Sequence, residues 1–182
     1  MTISIPNMPV ILCVGQSNMS RMVPVLREVF SSYNFISAAI GATSITQWQR
    51  EYAPYDNLIF LSNQALSEGN NIVAMFFSQG EADTNDLARA QAWKINLVQF
   101  YRDFQEDTGL INLPMIYAQL GADYGRPYWD IVKSLQAEMQ AHRTKHMVTL
   151  DHLTYADPPH YSDYRTAAIL FMSTFKKAMG IL

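Results

Sequence analysis

The chain has a single cysteine, Cys13, among 182 residues, which excludes an intrachain disulfide framework and a thiolate metal cluster. No charge of one sign dominates, because thirteen Lys and Arg against sixteen Asp and Glu leave a formal charge of −3. A face for nucleic acid or an anionic membrane needs clustered basic residues, and this balance supplies none. Long apolar runs are also missing. Runs such as Ile72 to Phe77 fall far short of the roughly 20 residues that a membrane-spanning helix requires. Met1 to Pro9 has neither a basic start nor a long apolar stretch, so no secretory signal is read. The chain contains no Gly-x-x-x-x-Gly-Lys-Ser/Thr, no Gly-x-Gly-x-x-Gly and no His-Glu-x-x-His. Backbone cradles for nucleotide phosphates, and the helical zinc site of a metalloprotease, are therefore not expected.

What is present is ample core material: 49% of the residues are hydrophobic and 12% aromatic. Chains split into separate cores only above roughly 250 residues, so one domain over residues 1–182 is expected. Val10 to Val14 is a short apolar run rich in β-branched residues that ends at Gly15, the pattern of a parallel strand buried on both faces. Asn34 to Ile40, Asn71 to Phe77, Pro114 to Leu120 and His146 to Leu150 read alike. Helical spacing fills the intervals: Met19 to Ser31, Asn57 to Glu68, Asp86 to Asp107, Tyr128 to Arg143 and Ser162 to Met179. Asp86 and Ser162 stand at N-cap positions. Strands alternating with helices predict a parallel sheet in an α/β/α sandwich, with ligands bound beyond the carboxyl ends of the strands.

Two of those loops carry reactive groups. Gly15-Gln16-Ser17-Asn18-Met19 sets a serine in a tight turn at the start of a helix. A hydroxyl there suits a nucleophile beside free helix amides, and equally an ordinary serine N-cap. Asp157-Pro158-Pro159-His160 puts a carboxylate three residues before a histidine, a spacing that suits either a triad or a surface Asp beside a turn His.

Together these blocks resemble the SGNH hydrolase superfamily, and within it the sialate O-acetylesterase and acetylxylan esterase group of carbohydrate esterases. Gly15 to Met19 is similar to that group's nucleophile block, Gly41-Ala42-Thr43-Ser44-Ile45 with Trp48 to its second, Gln79-Gly80-Glu81-Ala82-Asp83 to its third, and Asp157 to His160 to its last. The resemblance implies a flavodoxin-like five-stranded sheet of order 2-1-3-4-5 and a Ser-His-Asp mechanism without metal or other cofactor. Ser17 would be the nucleophile, His160 the general base and Asp157 the group that orients it. The oxyanion hole would use the amides of Ser17 and Gly41 and the side chain of Gln79, with Asn85 as a poorer substitute. The chain departs from the superfamily pattern in lacking Gly-x-Asn-Asp, and Ala42 stands where a second glycine is frequent. Asn18 and Glu81 would support the site, with Glu81 accepting hydrogen bonds from the turn around Ser17 or pairing with Arg50.

The expected reaction is hydrolysis of O-acetyl esters on a carbohydrate through an acetyl-serine, the carbohydrate being the expected partner. The alternatives are an esterase, thioesterase or lipase acting on a non-carbohydrate ester, and a carbohydrate-binding module of the same fold. Among Trp48, Tyr52, Tyr55, Tyr124, Tyr128, Trp129 and Tyr161, two or three are expected to wall the substrate cleft. His142, His146 and His152 are not read as zinc ligands, since His142 falls at a helix C-terminus, where a cation is favoured anyway. Asp163 and Tyr164 are expected to cap and pack the final helix. The location is expected to be cytoplasmic or phage- or virion-associated.

Overall fold

The computed structural model describes residues 8–141 and 144–181. Strands β1 (Val10–Gly15), β2 (Asn34–Ser37), β3 (Ile72–Ser78), β4 (Met115–Ala118) and β5 (Lys145–Val148) form one parallel sheet in the order β2-β1-β3-β4-β5, the predicted order. Along β1, Val10, Leu12 and Val14 enter one core while Ile11 and Cys13 enter the other, and all five are fully buried. Both faces of a parallel sheet are covered by its crossover helices, which is why this strand reads as a continuous apolar run.

Helices α2 (Ala53–Ser67), α3 (Leu87–Thr108) and α4 (Trp129–Glu138) cover one face with Leu58, Trp93, Leu97, Phe104 and Val132. Helices α1 (Ser17–Val29) and α5 (Tyr164–Ala178) cover the other with Met22, Leu26, Ala168 and Phe171. Neighbouring residues of β3 serve the two layers in turn: the Phe76 ring lies 5.2 Å from Phe171 and the Phe77 ring 5.5 Å from Phe100. Burying each such side chain contributes roughly 1.5–3 kcal/mol. No helix among the described residues is long and apolar enough to cross a membrane.

The structure departs from the expected boundaries in ways that matter for the site. Helix α1 begins at Ser17, two residues earlier than its apolar spacing predicted, and Gln16 occupies the N-cap. Strand β2 ends at Ser37, although Ala38 N and Ile40 N still bond Cys13 O and Gly15 O at 2.9 Å each, so the chain follows β1 as far as Ile40, just before Gly41. Asp86 caps α3, as predicted, by accepting from Arg89 N at 2.9 Å. Asp163 rather than Ser162 caps α5, accepting from Thr166 N at 2.9 Å, while the Ser162 hydroxyl bonds Thr154 O. Helix α4 gives way after Glu138 to a 3-10 turn, Met139–Ala141; His142 and Arg143 lie outside the described residues, as do residues 1–7 and 182. An unforeseen hairpin follows the sheet: β6 (Tyr155–Asp157) pairs antiparallel with β7 (His160–Tyr161). Two strands of three and two residues are too short to show period-two alternation.

Candidate active site

The β1–α1 turn is set by backbone crowding. Gly15 has φ +122°, and a Cβ there would overlap the Ser78 carbonyl at the end of β3, so only glycine fits. Gln16 N donates to that same Ser78 O at 2.8 Å, which aligns the first turn of α1 above the sheet. Ser17 is the first residue of this helix, so its hydroxyl is not in the capping position. The first turn carries no acidic residue to offset the positive end of the helix. Gly41, arriving from β2, lies directly beside it: a Cβ built on Gly41 would sit 3.8 Å from the Ser17 Cβ. Next to it, Ala42 adopts φ 61°, the left-handed region that favours glycine.

A cleft of about 550 Å³ opens beyond the carboxyl ends of the strands, lined by Ser17, Gly41, Ala42, Glu81, Asn85, Arg89, Tyr124, Arg126 and His160, with Gln16, Ala82 and Pro159 completing it. Ser17, Gly41 and His160, far apart in the chain, thus share one cavity. The His160 Nδ1 lies 3.4 Å from Asp157 Oδ2, a long contact, and the Asp157 side chain is 77% exposed whereas that of His160 is 17% exposed.

Gln79 does not reach the cleft. Its amide donates to Thr43 O at 3.0 Å and to Asp83 Oδ2, and its carbonyl accepts from Trp93 Nε1 at 2.8 Å, so both ends of the side chain are committed to the core. Asp83 also accepts from Ile45 N, which ties the third block to the loop that carries Gly41. Asn85 does line the cleft, with its Oδ1 accepting from Arg126 Nη1.

Glu81 is 3% exposed and its Oε1 accepts from Asn18 Nδ2 at 2.6 Å, the first of the two expected roles. The second is excluded, because Arg50 pairs with Asp103, Glu106 and Asp107 instead. Burial, reinforced by the nearby Asp83 carboxylate, raises Glu81 from an ordinary 4.5 to about 7 against the lowering effect of its hydrogen bonds. Burial likewise raises Asp83 to about 6. Glu81 Oε2 has no hydrogen-bond partner among the described residues.

Of the seven aromatic residues expected around the site, only Tyr124 lines the cleft. Trp48, Tyr55, Trp129 and Tyr161 are core, Tyr128 packs half-buried against it, and Tyr52 is exposed elsewhere. Sequence reasoning missed Arg89 and Arg126. Arg126 lies 5.1 Å from the Tyr124 ring centroid, in the loop beyond β4, where no sequence motif marks it.

The family profile described as carbohydrate esterase, sialic acid-specific acetylesterase, matches residues 25–170, which include Gly41, Glu81 and His160 and begin just past Ser17. The chain belongs to this family. A probable carbohydrate esterase of Arabidopsis thaliana is 27% identical over 101 residues, 56% of this chain and 38% of that protein. The X-ray structure of that plant protein superposes with a TM-score of 0.73 at 20% identity over 89% of this chain and 67% of the other. A carbohydrate acetylesterase of Xanthomonas citri gives 0.68 at 16% identity, over 87% of this chain and 40% of the bacterial one. A GDSL-like lipase of Bacteroides thetaiotaomicron gives 0.61 at 9% identity, over 98% and 92%. At these identities the likeness establishes the SGNH hydrolase fold.

Proposed function

We propose that this chain is a serine carbohydrate esterase that removes O-acetyl groups from a sugar. The observation that carries the reading is the shared cleft, in which Ser17 at a helix N-terminus, Gly41 beside it and His160 line one cavity. In this reading His160 takes the Ser17 proton as the hydroxyl attacks the acetyl carbonyl. The amides of Ser17 and Gly41 then stabilise the tetrahedral oxyanion. Proton return from His160 to the sugar oxygen releases the alcohol and leaves acetyl-Ser17. Water activated by the same imidazole then yields acetate. Asp157 accepts from His160 Nδ1 and favours the imidazolium. With Gln79 committed to the core, Asn85 Nδ2 is one side-chain donor in the cleft, its Oδ1 being held by Arg126, and Gln16 Nε2 is another, its Oε1 accepting from Ala82 N.

Gln16, Asn85, Arg89 and Arg126 place hydrogen-bonding groups in the lining that a sugar's hydroxyls can use. Arg89 and Arg126 add two guanidiniums at the rim, suited to a carboxylate-bearing sugar in keeping with the family's name. Acetate release from a panel of O-acetylated sugars, with and without a carboxylate, tests the assignment, with Ser17→Ala as control. Release that depends on Ser17 and is faster on acidic sugars supports it. Release that survives Ser17→Ala overturns the mechanism, and no release from any sugar overturns the substrate class.

A further inference from the structure

Asn18, the neighbour of Ser17, is 1% exposed and uses both ends of its amide. Its Nδ2 donates to Pro159 O at 2.9 Å and its Oδ1 accepts from Tyr161 N at 3.3 Å, so it bonds the backbone on both sides of His160. Two further bonds hold the amide itself: Nδ2 donates to Glu81 Oε1 at 2.6 Å, and Oδ1 accepts from Tyr164 Oη at 2.8 Å. The contact from Asp157 to the ring is longer, at 3.4 Å, and its carboxylate is mostly in water. Solvent around an exposed carboxylate screens its charge, while an amide buried with its partners holds one geometry.

We propose that Asn18 is the positioning residue that sets His160 over Ser17, and that it does so more strongly than Asp157. The inference rests on the Ser17 and His160 reading above. A side chain on residue 18 moves rigidly with residue 17, so bonds from it to residues 159 and 161 fix the nucleophile and the histidine relative to each other. Glu81 keeps the amide from rotating, which gives this buried carboxyl a role without charge in the oxyanion hole. The titratable and charged groups around position 18 and its partners are Glu81 and Asp83 from the β3 loop, Tyr124, Tyr155 and Tyr161, Tyr164 from α5 with Arg21 of α1 beside it, and His160 itself.

Asn18→Asp tests this with little change in shape. Ionised, the introduced carboxylate lacks the donor to Pro159 O and faces Glu81 as a like charge; protonated, its hydroxyl restores one donor. At pH 8, kcat on a small acetyl ester should fall about 100-fold with KM within about threefold, the scale for a 1 Å misplacement. The ratio of wild-type to variant kcat should then shrink as pH falls towards about 5.5 and the introduced carboxylate takes up a proton. Asp157→Asn should lose less than about 10-fold under the same conditions. Tyr164→Phe removes one bond to Asn18, and the contact of the hydroxyl with Arg21, and should lower kcat a few-fold while lowering the melting temperature by only a few degrees, a second readout if Asn18→Asp proves unstable. An Asn18→Asp ratio near one at every pH, or an Asp157→Asn loss equal to or above that of Asn18→Asp, overturns the proposal. Ser17→Ala and His160→Ala run alongside: if either retains full turnover, the catalytic reading has failed, and this inference falls with it.

Discussion

At the β1–α1 turn, Gly15 packs against Ser78 without space for a side chain, and Asn18 is buried with four hydrogen bonds. At the β6–β7 turn, the Asp157 side chain stands 77% in solvent, and its bond to His160 is long. One half of the proposed chemistry is thus built into the sheet, and the other is a short hairpin tied back to it. Under the proposal above, the difference means that His160 is placed by Asn18, the neighbour of Ser17, rather than by a buried acid.

The largest expected effect comes from removing either half of the pair. Ser17→Ala and His160→Ala should each lower turnover of a small acetyl ester by at least about 1000-fold, and the double variant should lose little more, because such groups act as a unit. Multiplied losses in steady-state assays would separate the two turns chemically. In stability the turns should part company. Gly15→Ala drives a methyl group into the Ser78 carbonyl and should cost more than about 3 kcal/mol by urea unfolding, whereas Asp157→Ala should stay within about 0.5 kcal/mol. Equal costs would erase the contrast.

A smaller effect is expected from the buried acid between the turns. Glu81 holds its proton up to about pH 7 when folded and to about 4.5 when unfolded, so the folded chain binds more protons in that window. Its contribution to stability is therefore complete below about pH 4.5 and is lost as pH rises to about 7, amounting to about 3 kcal/mol. Asp83 adds to the same trend between 3.8 and about 6. Glu81→Gln keeps an acceptor for Asn18 Nδ2 and should flatten the curve of unfolding free energy against pH across that range; an unchanged slope would show that Glu81 titrates normally. Smallest is Ala42→Gly. Relief of the left-handed φ of 61° should outweigh the added freedom of the unfolded chain by about 0.5 kcal/mol, and a net loss would mean that the Ala42 methyl packs favourably in the cleft wall.

Parallel strands were legible because β1 and β3 are apolar runs ending where a loop block begins, whereas the order of the sheet followed only from the resemblance of those blocks to a known superfamily. Ser17, Gly41 and His160, from three separate blocks, line one cavity at the strand ends. Gln79 misled because strand-end position says nothing of side-chain direction: Trp93, fourteen residues away on α3, holds its carbonyl inward. The aromatic residues misled for a related reason, since Trp48 and Trp129 lie near the cleft loops in sequence yet fill the core. Asn18 was expected to support the site, but not through which contacts. Its partners at 159, 161 and 164 are more than 140 residues away, and no local pattern announces them.

Covalent chemistry at Ser17 is the central claim. Rapid acid quench of the wild-type chain turning over an acetyl ester, followed by peptide mass analysis, should find one acetyl group on the peptide containing Ser17 and none in Ser17→Ala. Steady release of acetate with no acetylated peptide at any quench time, or the same label in Ser17→Ala, would contradict it.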